Sequence, residues 1–214
     1  MDEDLAAINA NTRNQKVKDF FIKFKKHLII TIGIIILMVF GYFIYGDIQK
    51  KNKINLANKY NKVTIEYYSG DKKNIKKKLI EIINAKDKTY SPLSLYFILE
   101  NEIITENNKI NELFDILINE TKLEKEIKNL VIYKKGLFNS EFETENKLIK
   151  ILSPIINSES IWKSHALYLM AEYFFHKNEK QKSKEFFEKI LAEDKSNISI
   201  KKEAQKRLNR DFSE

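Results

Sequence analysis

A run of 19 consecutive uncharged residues, LIITIGIIILMVFGYFIYG at 28–46, most constrains what this chain can fold into. As a helix rising about 1.5 Å per residue, it would span about 28 Å, close to the ~30 Å hydrocarbon core of a bilayer. Core helices of soluble domains rarely remain apolar on every face for this length. A cleaved signal peptide is shorter and ends in small residues, whereas this run ends in aromatic and branched ones. The sequence therefore predicts one uncleaved transmembrane helix over residues 28–46.

Basic residues are almost evenly divided between the two sides of this span, with six from Arg13 to Lys26 and five from Lys50 to Lys62. Long domains cross membranes largely regardless of their charge, so the short N-terminal side carries more weight in the positive-inside rule. We therefore expect residues 1–27 in the cytoplasm and residues 47–214 on the far side of the membrane.

Residues 1–27 are predicted to form a basic, amphipathic segment at the membrane, because aromatic residues recur at helical spacing between lysines. One interpretation is a helix lying on an anionic inner leaflet. The other is the cytoplasmic end of the transmembrane helix, with lysines that reach lipid headgroups. Both predict the same membrane-surface residues: Lys16, Lys18, Phe20, Phe21, Lys23, Phe24, Lys25 and Lys26.

Beyond the span, apolar residues follow the period of an α-helix almost everywhere. Ile110, Leu113, Phe114 and Leu117 share one face, and similar sets recur as far as Phe175. No comparable run alternates with period two, and five glycines and two prolines are too few for the turns of an all-β fold. Residues 47–214 are therefore predicted to be all-α.

Turn-forming residues predict where the helices begin and end. Ser69-Gly70-Asp71 ends the helix that continues from the membrane. Ser91 is predicted to be an N-cap, with Pro92 at the first helical position. Pro154 lies inside an apolar helical pattern, so we expect it to kink or end that helix near Leu152–Ser153.

The predicted helices, about nine, fall into pairs whose first members begin near positions 47, 92, 123, 160 and 198. The later spacings of about 31 to 38 residues are the pitch of helix–turn–helix repeats such as the tetratricopeptide type. One pair cannot bury its own apolar face, so such repeats stack into a solenoid with a concave groove. The expected architecture is a transmembrane helix followed by a tetratricopeptide-like solenoid.

Residues 167–197 resemble the tetratricopeptide consensus most closely. Small residues stand where paired helices touch, large apolar residues follow them, and Asn178 occupies the turn usually held by glycine. Lys195 departs from the consensus, which has proline there. The resemblance implies these repeat-packing residues: Ala171, Phe174, Ser183, Phe187 and Ile190.

The order of several motifs resembles the tetratricopeptide-like family of the ancillary subunit of the Sec translocon, in its alphaproteobacterial form. The motifs are Asp2-Glu3-Asp4-Leu5, the stretch from Lys18 to Lys26 before the span, Ser160-Ile161-Trp162-Lys163, Ala166-Leu167 and Glu203-Ala204-Gln205-Lys206-Arg207-Leu208. The resemblance implies a single-pass protein of the bacterial inner membrane with its repeats in the periplasm. Its partners would be translocon subunits, and periplasmic chaperones or emerging chains. The family has no known catalytic residues.

The residues themselves offer little chemistry, so we predict no enzyme, metal, cofactor or small-molecule substrate. No cysteine is present for a thiol nucleophile or zinc ribbon, and no glycine-rich phosphate loop occurs. Glu172 and His176 are four residues apart on a predicted helix, but two ligands do not make a metal site. The 38 basic residues include only three arginines, so the net charge of +8 does not predict nucleic-acid binding.

Trp162, Tyr168 and Tyr173 share one predicted helix and are the candidate partner-binding residues, since aromatic side chains in a repeat groove can anchor a peptide. The alternative, that they fill the core between helices, is the more common role. The leading functional hypothesis is a membrane-tethered interaction scaffold of the export channel. The alternatives are an assembly factor for another envelope complex, in cytochrome maturation or cell division, and an enzyme or nucleic-acid binder with reversed topology.

Overall fold

The computed structural model describes residues 2–212, with side chains for residues 18, 22–27, 29–31 and 33–212. This part of the chain contains nine α-helices and one π-helical turn and has no strand, which confirms the all-α prediction. The elements are α1 (Asp2–Tyr68), α2 (Ile75–Asn84), α3 (Tyr90–Glu100), α4 (Asn107–Asp115), the π-helical turn (Ile116–Glu120), α5 (Lys125–Asn139), α6 (Glu145–Ile156), α7 (Lys163–His176), α8 (Lys180–Ala192) and α9 (Ile198–Asp211). The chain divides into two compact units at Asn55/Leu56, inside α1.

The first unit consists of α1 as far as Asn55, and it contains the predicted span 28–46. By length and composition α1 is able to cross a membrane, and its most apolar window buries none of its surface. The large apolar side chains described there, from Ile29 to Ile48, are exposed to at least about half of their surface. An apolar helix without a protein partner for its surface is typical of a lipid-facing segment.

The second unit, from Leu56 onward, has three apolar clusters that follow one another along the chain. The first joins the end of α1 to α2, α3, α4, the π-helical turn and α5, with Leu79 and Phe114 at its centre. The second joins α5, α6 and α7 around Leu148, and the third joins α7, α8 and α9 around Phe187. Helices α5 and α7 each contribute to two clusters, so they connect the core from one end of the unit to the other.

The helix ends agree with several predicted turns and correct one of them. Gly70, which follows the end of α1, has φ +91°, and Asn178 between α7 and α8 has φ +60°. Ser91, however, is not an N-cap: it is buried inside α3, and its hydroxyl donates to the carbonyl of Ile82, 2.8 Å away in α2. The first turn of α3 is instead held by Asp87, whose Oδ1 accepts the N–H groups of Thr89 and Tyr90 at 2.8 and 2.7 Å.

The sequence predicts that Pro154 kinks or ends its helix near Leu152–Ser153, and the second of these outcomes is wrong, because α6 continues through Pro154 to Ile156. Proline has no N–H to give to the carbonyl four residues earlier, which belongs to Lys150. The hydroxyl of Ser153 donates to that carbonyl instead, at 3.3 Å. Pro154 is also exposed, so its ring does not have to fit between packed helices. A neighbouring hydroxyl and an outward position therefore allow the helix to tolerate the proline.

Helices α5 and α6 approach each other closely at Gly136. A Cβ atom added to this glycine would lie 2.9 Å from Cγ of Leu152 and closer still to its Cδ2. Leu152 is completely buried in the second cluster, so it has little freedom to move away. The absence of a side chain at position 136 therefore sets how closely the two helices pack.

We expect Gly136→Ala to lower the free energy of unfolding by about 1–2 kcal/mol. The overpacked methyl costs about 1–3 kcal/mol, and the better helix propensity of alanine returns about 1 kcal/mol or less. Urea unfolding of the full chain in detergent, followed by the emission of Trp162, the only tryptophan, measures this change.

The matched control is the same substitution in a Leu152→Ala background, where the clashing atoms are gone. There, Gly136→Ala should raise the unfolding free energy, so the effect changes sign across the double-mutant cycle. An equal loss in both backgrounds would show that the contact with Leu152 is not the cause.

Candidate interaction surfaces

The predicted repeat-packing residues all lie in the packed region formed by α7, α8 and their neighbours. Ala171, Phe187 and Ile190 belong to the third cluster and are fully buried. Phe174 belongs to the second cluster, and its ring stacks on that of Phe186 with centroids 5.4 Å apart. Ser183 is also fully buried. These five side chains fill the interior of the unit and present no surface to a partner.

The three candidate partner-binding aromatics do not form one exposed surface. Tyr173 is only 7% exposed, and its hydroxyl donates to the carbonyl of Glu143 at 3.2 Å. Tyr168 lies in a different cluster, with its ring edge-on to that of Phe187, and burial raises its pKa to about 12. Trp162 is half-buried. Tyr173 therefore packs inside the unit, Tyr168 and Trp162 are partly buried against other aromatic rings, and their role in anchoring a partner stays a prediction.

Trp162 belongs to an aromatic trio that joins α5 to the start of α7. Its ring stacks on Tyr133 with centroids 5.8 Å apart, and the ring of His165 lies 5.1 Å from it. Burial in this trio lowers the pKa of His165. A lowered pKa favours the neutral imidazole, which suits packing against two aromatic rings.

The Ser160–Lys163 motif, one of those that carry the family resemblance, fixes the entry to α7. Oε2 of Glu126, in the first turn of α5, accepts the hydroxyl of Ser160 at 2.7 Å and the N–H of Ile161 at 3.2 Å. The N–H of Trp162 then donates to the Ser160 hydroxyl oxygen at 3.1 Å. These bonds tie the start of α7 to α5, so the motif has a structural role here.

The predicted membrane-surface residues lie in α1. Of these, Lys18, Lys23, Phe24, Lys25 and Lys26 are exposed, while the side chains of Lys16, Phe20 and Phe21 lie outside the described residues. Nζ of Lys23 lies 5.7 Å from the centroid of the Phe24 ring. An exposed basic and aromatic surface next to an apolar helix is the composition expected at a lipid headgroup layer.

Glu172, which the sequence pairs with His176 as a weak metal motif, is bound by an arginine instead. Nε and Nη2 of Arg207 in α9 reach its two carboxylate oxygens at 2.7 and 2.9 Å. Nη1 of Arg207 contacts Asp211, and the guanidinium carbon lies 4.3 Å from the centroid of the Phe175 ring. Arg207 is 8% exposed, so this network fastens α9 to α7 inside the packed unit.

Asp211 is shared between two arginines. Nε and Nη2 of the exposed Arg210 donate to its carboxylate at 2.7 and 3.0 Å, and this hydrogen bonding lowers the pKa of Asp211. Among the side chains that the structure describes, no group of three or more His, Asp or Glu residues is placed to hold a metal ion.

One concave surface of the second unit lies between α3, the loop that follows it, α4 and α5, and we name it the α3–α5 groove. Its volume is about 780 Å³. The residues that line it are Tyr96, Leu99, Glu100, Glu102, Ile104, Thr105, Ile110, Lys134, Leu137, Phe138 and Glu141. None of them is among the sequence-predicted site residues. The sequence pattern could have indicated only one of these lining residues: Leu137 is apolar but lies off the buried face of α5.

Comparison of this chain with protein-family models, curated proteins and solved structures finds no match.

We expect Arg207→Met to lower the free energy of unfolding by about 2–3 kcal/mol. The substitution leaves the largely buried carboxylate of Glu172 without its bidentate partner. Removing one partner of a completely buried ion pair typically costs about 3–5 kcal/mol of unfolding free energy. The side chain of Glu172 is 25% exposed, so we expect a loss somewhat below that range. Arg207→Lys should recover only part of the loss, because an ammonium cannot make the two-pronged contact.

The matched control is Arg210→Met, which removes the other arginine of Asp211 from an exposed site and should cost less than about 1 kcal/mol. Urea unfolding of the full chain in detergent compares the variants. Equal losses for the two methionine variants would contradict a fastening role for Arg207.

Proposed function

We propose that this protein is a membrane-anchored scaffold of tetratricopeptide-like repeats and an ancillary subunit of the Sec protein-export translocon. The single transmembrane helix anchors it in the bacterial inner membrane, with the N-terminus in the cytoplasm and the helical domain in the periplasm. The domain links the channel to periplasmic chaperones or to emerging chains. A tether converts weak contacts into useful ones by raising the effective concentration of the partners.

The observation that carries the anchor is the exposed, uncharged run at 28–46 within α1. A helix with this surface is stable in lipid, where its backbone polar groups are satisfied internally and its side chains need no protein partner. The basic residues before the run, Lys18 to Lys26, support a cytoplasmic N-terminus through the positive-inside rule.

The repeat assignment is supported by the way consecutive helices pack in the second unit. Small residues stand where helices meet: Gly136 against Leu152 between α5 and α6, and the buried Ala171 and Ser183 in α7 and α8. Each apolar cluster uses helices that are close in the sequence, and α5 and α7 each serve two clusters. Nearest-neighbour packing of this kind is typical of helical repeats. The link to the export channel rests on the order of the sequence motifs.

The proposed topology is tested with single cysteines, since the chain has none of its own. Lys18→Cys and Glu188→Cys place one thiol on an exposed residue at each side of the span. In spheroplasts, a membrane-impermeant maleimide should label Glu188→Cys directly and Lys18→Cys only after lysis. The reverse pattern would contradict the topology and support the cytoplasmic alternative.

The proposed partners are tested by crosslinking in intact cells that express the full chain, followed by affinity purification and mass spectrometry. We expect to recover translocon subunits together with periplasmic chaperones. A variant whose residues 28–46 are replaced by an unrelated transmembrane helix of equal length should lose the channel and keep the chaperones, if the span docks on the channel.

Retention of the channel by that variant would place the docking surface on the helical domain. Recovery of cytochrome-maturation, division or cytoplasmic proteins without the channel would contradict the proposed function. Equal amounts of both proteins in the membrane fraction control for expression.

A further inference from the structure

The α3–α5 groove combines one exposed apolar side chain with buried and half-buried ones. Ile104 and Ile110 form buried parts of its wall, and Phe138 is half-buried. Leu137, in contrast, is 49% exposed. The nearby Phe142 is also largely exposed, and its ring centroid lies 5.2 Å from that of Phe138. The groove therefore offers an apolar surface whose burial by a ligand would be favourable.

The charges of the groove are unbalanced. Glu100, Glu102 and Glu141 face one cation, Lys134, which leaves a formal charge of −2 at pH 7. None of these four side chains makes an ion pair in the described part of the chain. Nζ of Lys134 instead lies 4.8 Å from the centroid of the Tyr96 ring.

Around α4 and α5, some charged residues outside the groove pair with each other. Lys135 contacts Asp115 at 2.8 Å, and Lys76 contacts Glu106 at 3.2 Å. In a chain with a net charge of +8, unpaired carboxylates around an apolar surface are complementary to a ligand that is both basic and apolar.

Glu102 occupies a backbone position that ordinarily takes glycine. It follows the C-cap Asn101 of α3 with φ +49°, and the N–H of Ile103 reaches back to the carbonyl of Ile98 at 3.0 Å. This is the pattern of a Schellman motif, whose left-handed residue is most often glycine. Glu102 therefore places a carboxylate at the groove in a backbone conformation that is unfavourable for glutamate. A substitution at this position can therefore change binding and stability in opposite directions.

The size of the groove decides what kind of ligand fits. About 780 Å³ is within the roughly 300–1,000 Å³ range of pockets that enclose drug-sized ligands, a size that also holds a few side chains of a peptide. A stable interface between folded proteins buries about 1,600 Å² and needs a larger surface. A short segment of an unfolded chain is therefore the better fit.

We propose that the α3–α5 groove binds a short segment of an unfolded polypeptide in which lysine or arginine residues flank apolar ones. The apolar side chains contact Leu137 and Phe138, and the basic ones lie beside Glu100, Glu102 and Glu141. This inference rests on the proposed function, since it names the chemistry of the emerging chain that the scaffold would hold.

The test measures binding of short fluorescent peptides to the full chain in phosphatidylcholine nanodiscs, by anisotropy, with empty nanodiscs subtracted. The first peptide has two lysines on each side of a Leu-Phe-Leu core. The second replaces the lysines with glutamates, and the third replaces the core with serines. We expect the first peptide to bind and the other two to bind at least about tenfold more weakly.

Two sets of variants locate the binding. Glu100→Gln, Glu102→Gln and Glu141→Gln together should weaken binding of the first peptide about tenfold, since three exposed ion pairs, each of small effect, are lost at once. Leu137→Ser should weaken it as well. The matched control removes three exposed carboxylates outside the groove, by Glu81→Gln, Glu188→Gln and Asp194→Asn, and should change affinity less than about twofold.

Glu102→Gly separates a binding role from a structural one. It relieves the left-handed glutamate and removes one carboxylate, so it should raise the urea midpoint and still weaken binding. The inference is overturned if the serine-core peptide binds as well as the first, if the control set weakens binding equally, or if none of the peptides binds. Absence of peptide binding together with recovery of the channel would refute the groove alone, whereas peptide binding without the channel would refute the export role alone.

Discussion

Packing between neighbouring helices is the constraint on which the second unit depends, because its helices are too short to be stable alone. The longest helix after Tyr68 is α5, with 15 residues, and isolated helices of about 12–15 residues are marginal in water. Each must therefore bury its apolar side against others. Helices α5 and α7 do so on two sides, which makes three clusters into one continuous core. In α9 only Ala204 and Arg207 are buried, while Ile200 and Leu208 are partly buried. The contact of Arg207 with Glu172 therefore adds to the apolar packing that holds this helix.

Local patterns in the sequence predict much of this fold, and tertiary contacts explain where they fail. The helical spacing of apolar residues and the turns at Gly70 and Asn178 depend only on nearby residues, and the structure agrees with both. Ser91 is different, because its hydroxyl bonds to Ile82 in another helix and cannot be recognised as buried from its neighbours. Pro154 is tolerated because Ser153 supplies the bond that proline lacks. At Ser91 and at Ser153, a hydrogen bond from a side-chain hydroxyl gives a helix end that differs from the one predicted from local sequence.

The candidate site was less predictable for a geometrical reason. Periodicity identifies one apolar face, but α7 is buried on two sides, so aromatic residues off its main face are also core residues. Tyr173 is buried in the second cluster, and Tyr168 packs partly buried against the third. The α3–α5 groove could not be predicted for a different reason: its lining residues come from separate parts of the sequence. Glu141 follows Leu137 by only four residues, but Glu100 and Glu102 lie more than 30 residues away in the sequence, and only the packing of α3, α4 and α5 brings them to the same surface.

The net charge of the chain and the charge of the groove act over different distances. At physiological salt, charges more than about 8–10 Å apart are largely screened, so the net charge of +8 acts weakly on a basic segment that approaches from solution. Inside the groove the nearest charges dominate, and there the carboxylates outnumber the ammonium of Lys134. Added salt therefore reduces both a diffuse repulsion during approach and a local attraction after contact. The apolar contact with Leu137 is not screened, so it retains the segment when the ion pairs are weakened and makes recognition depend on both features together.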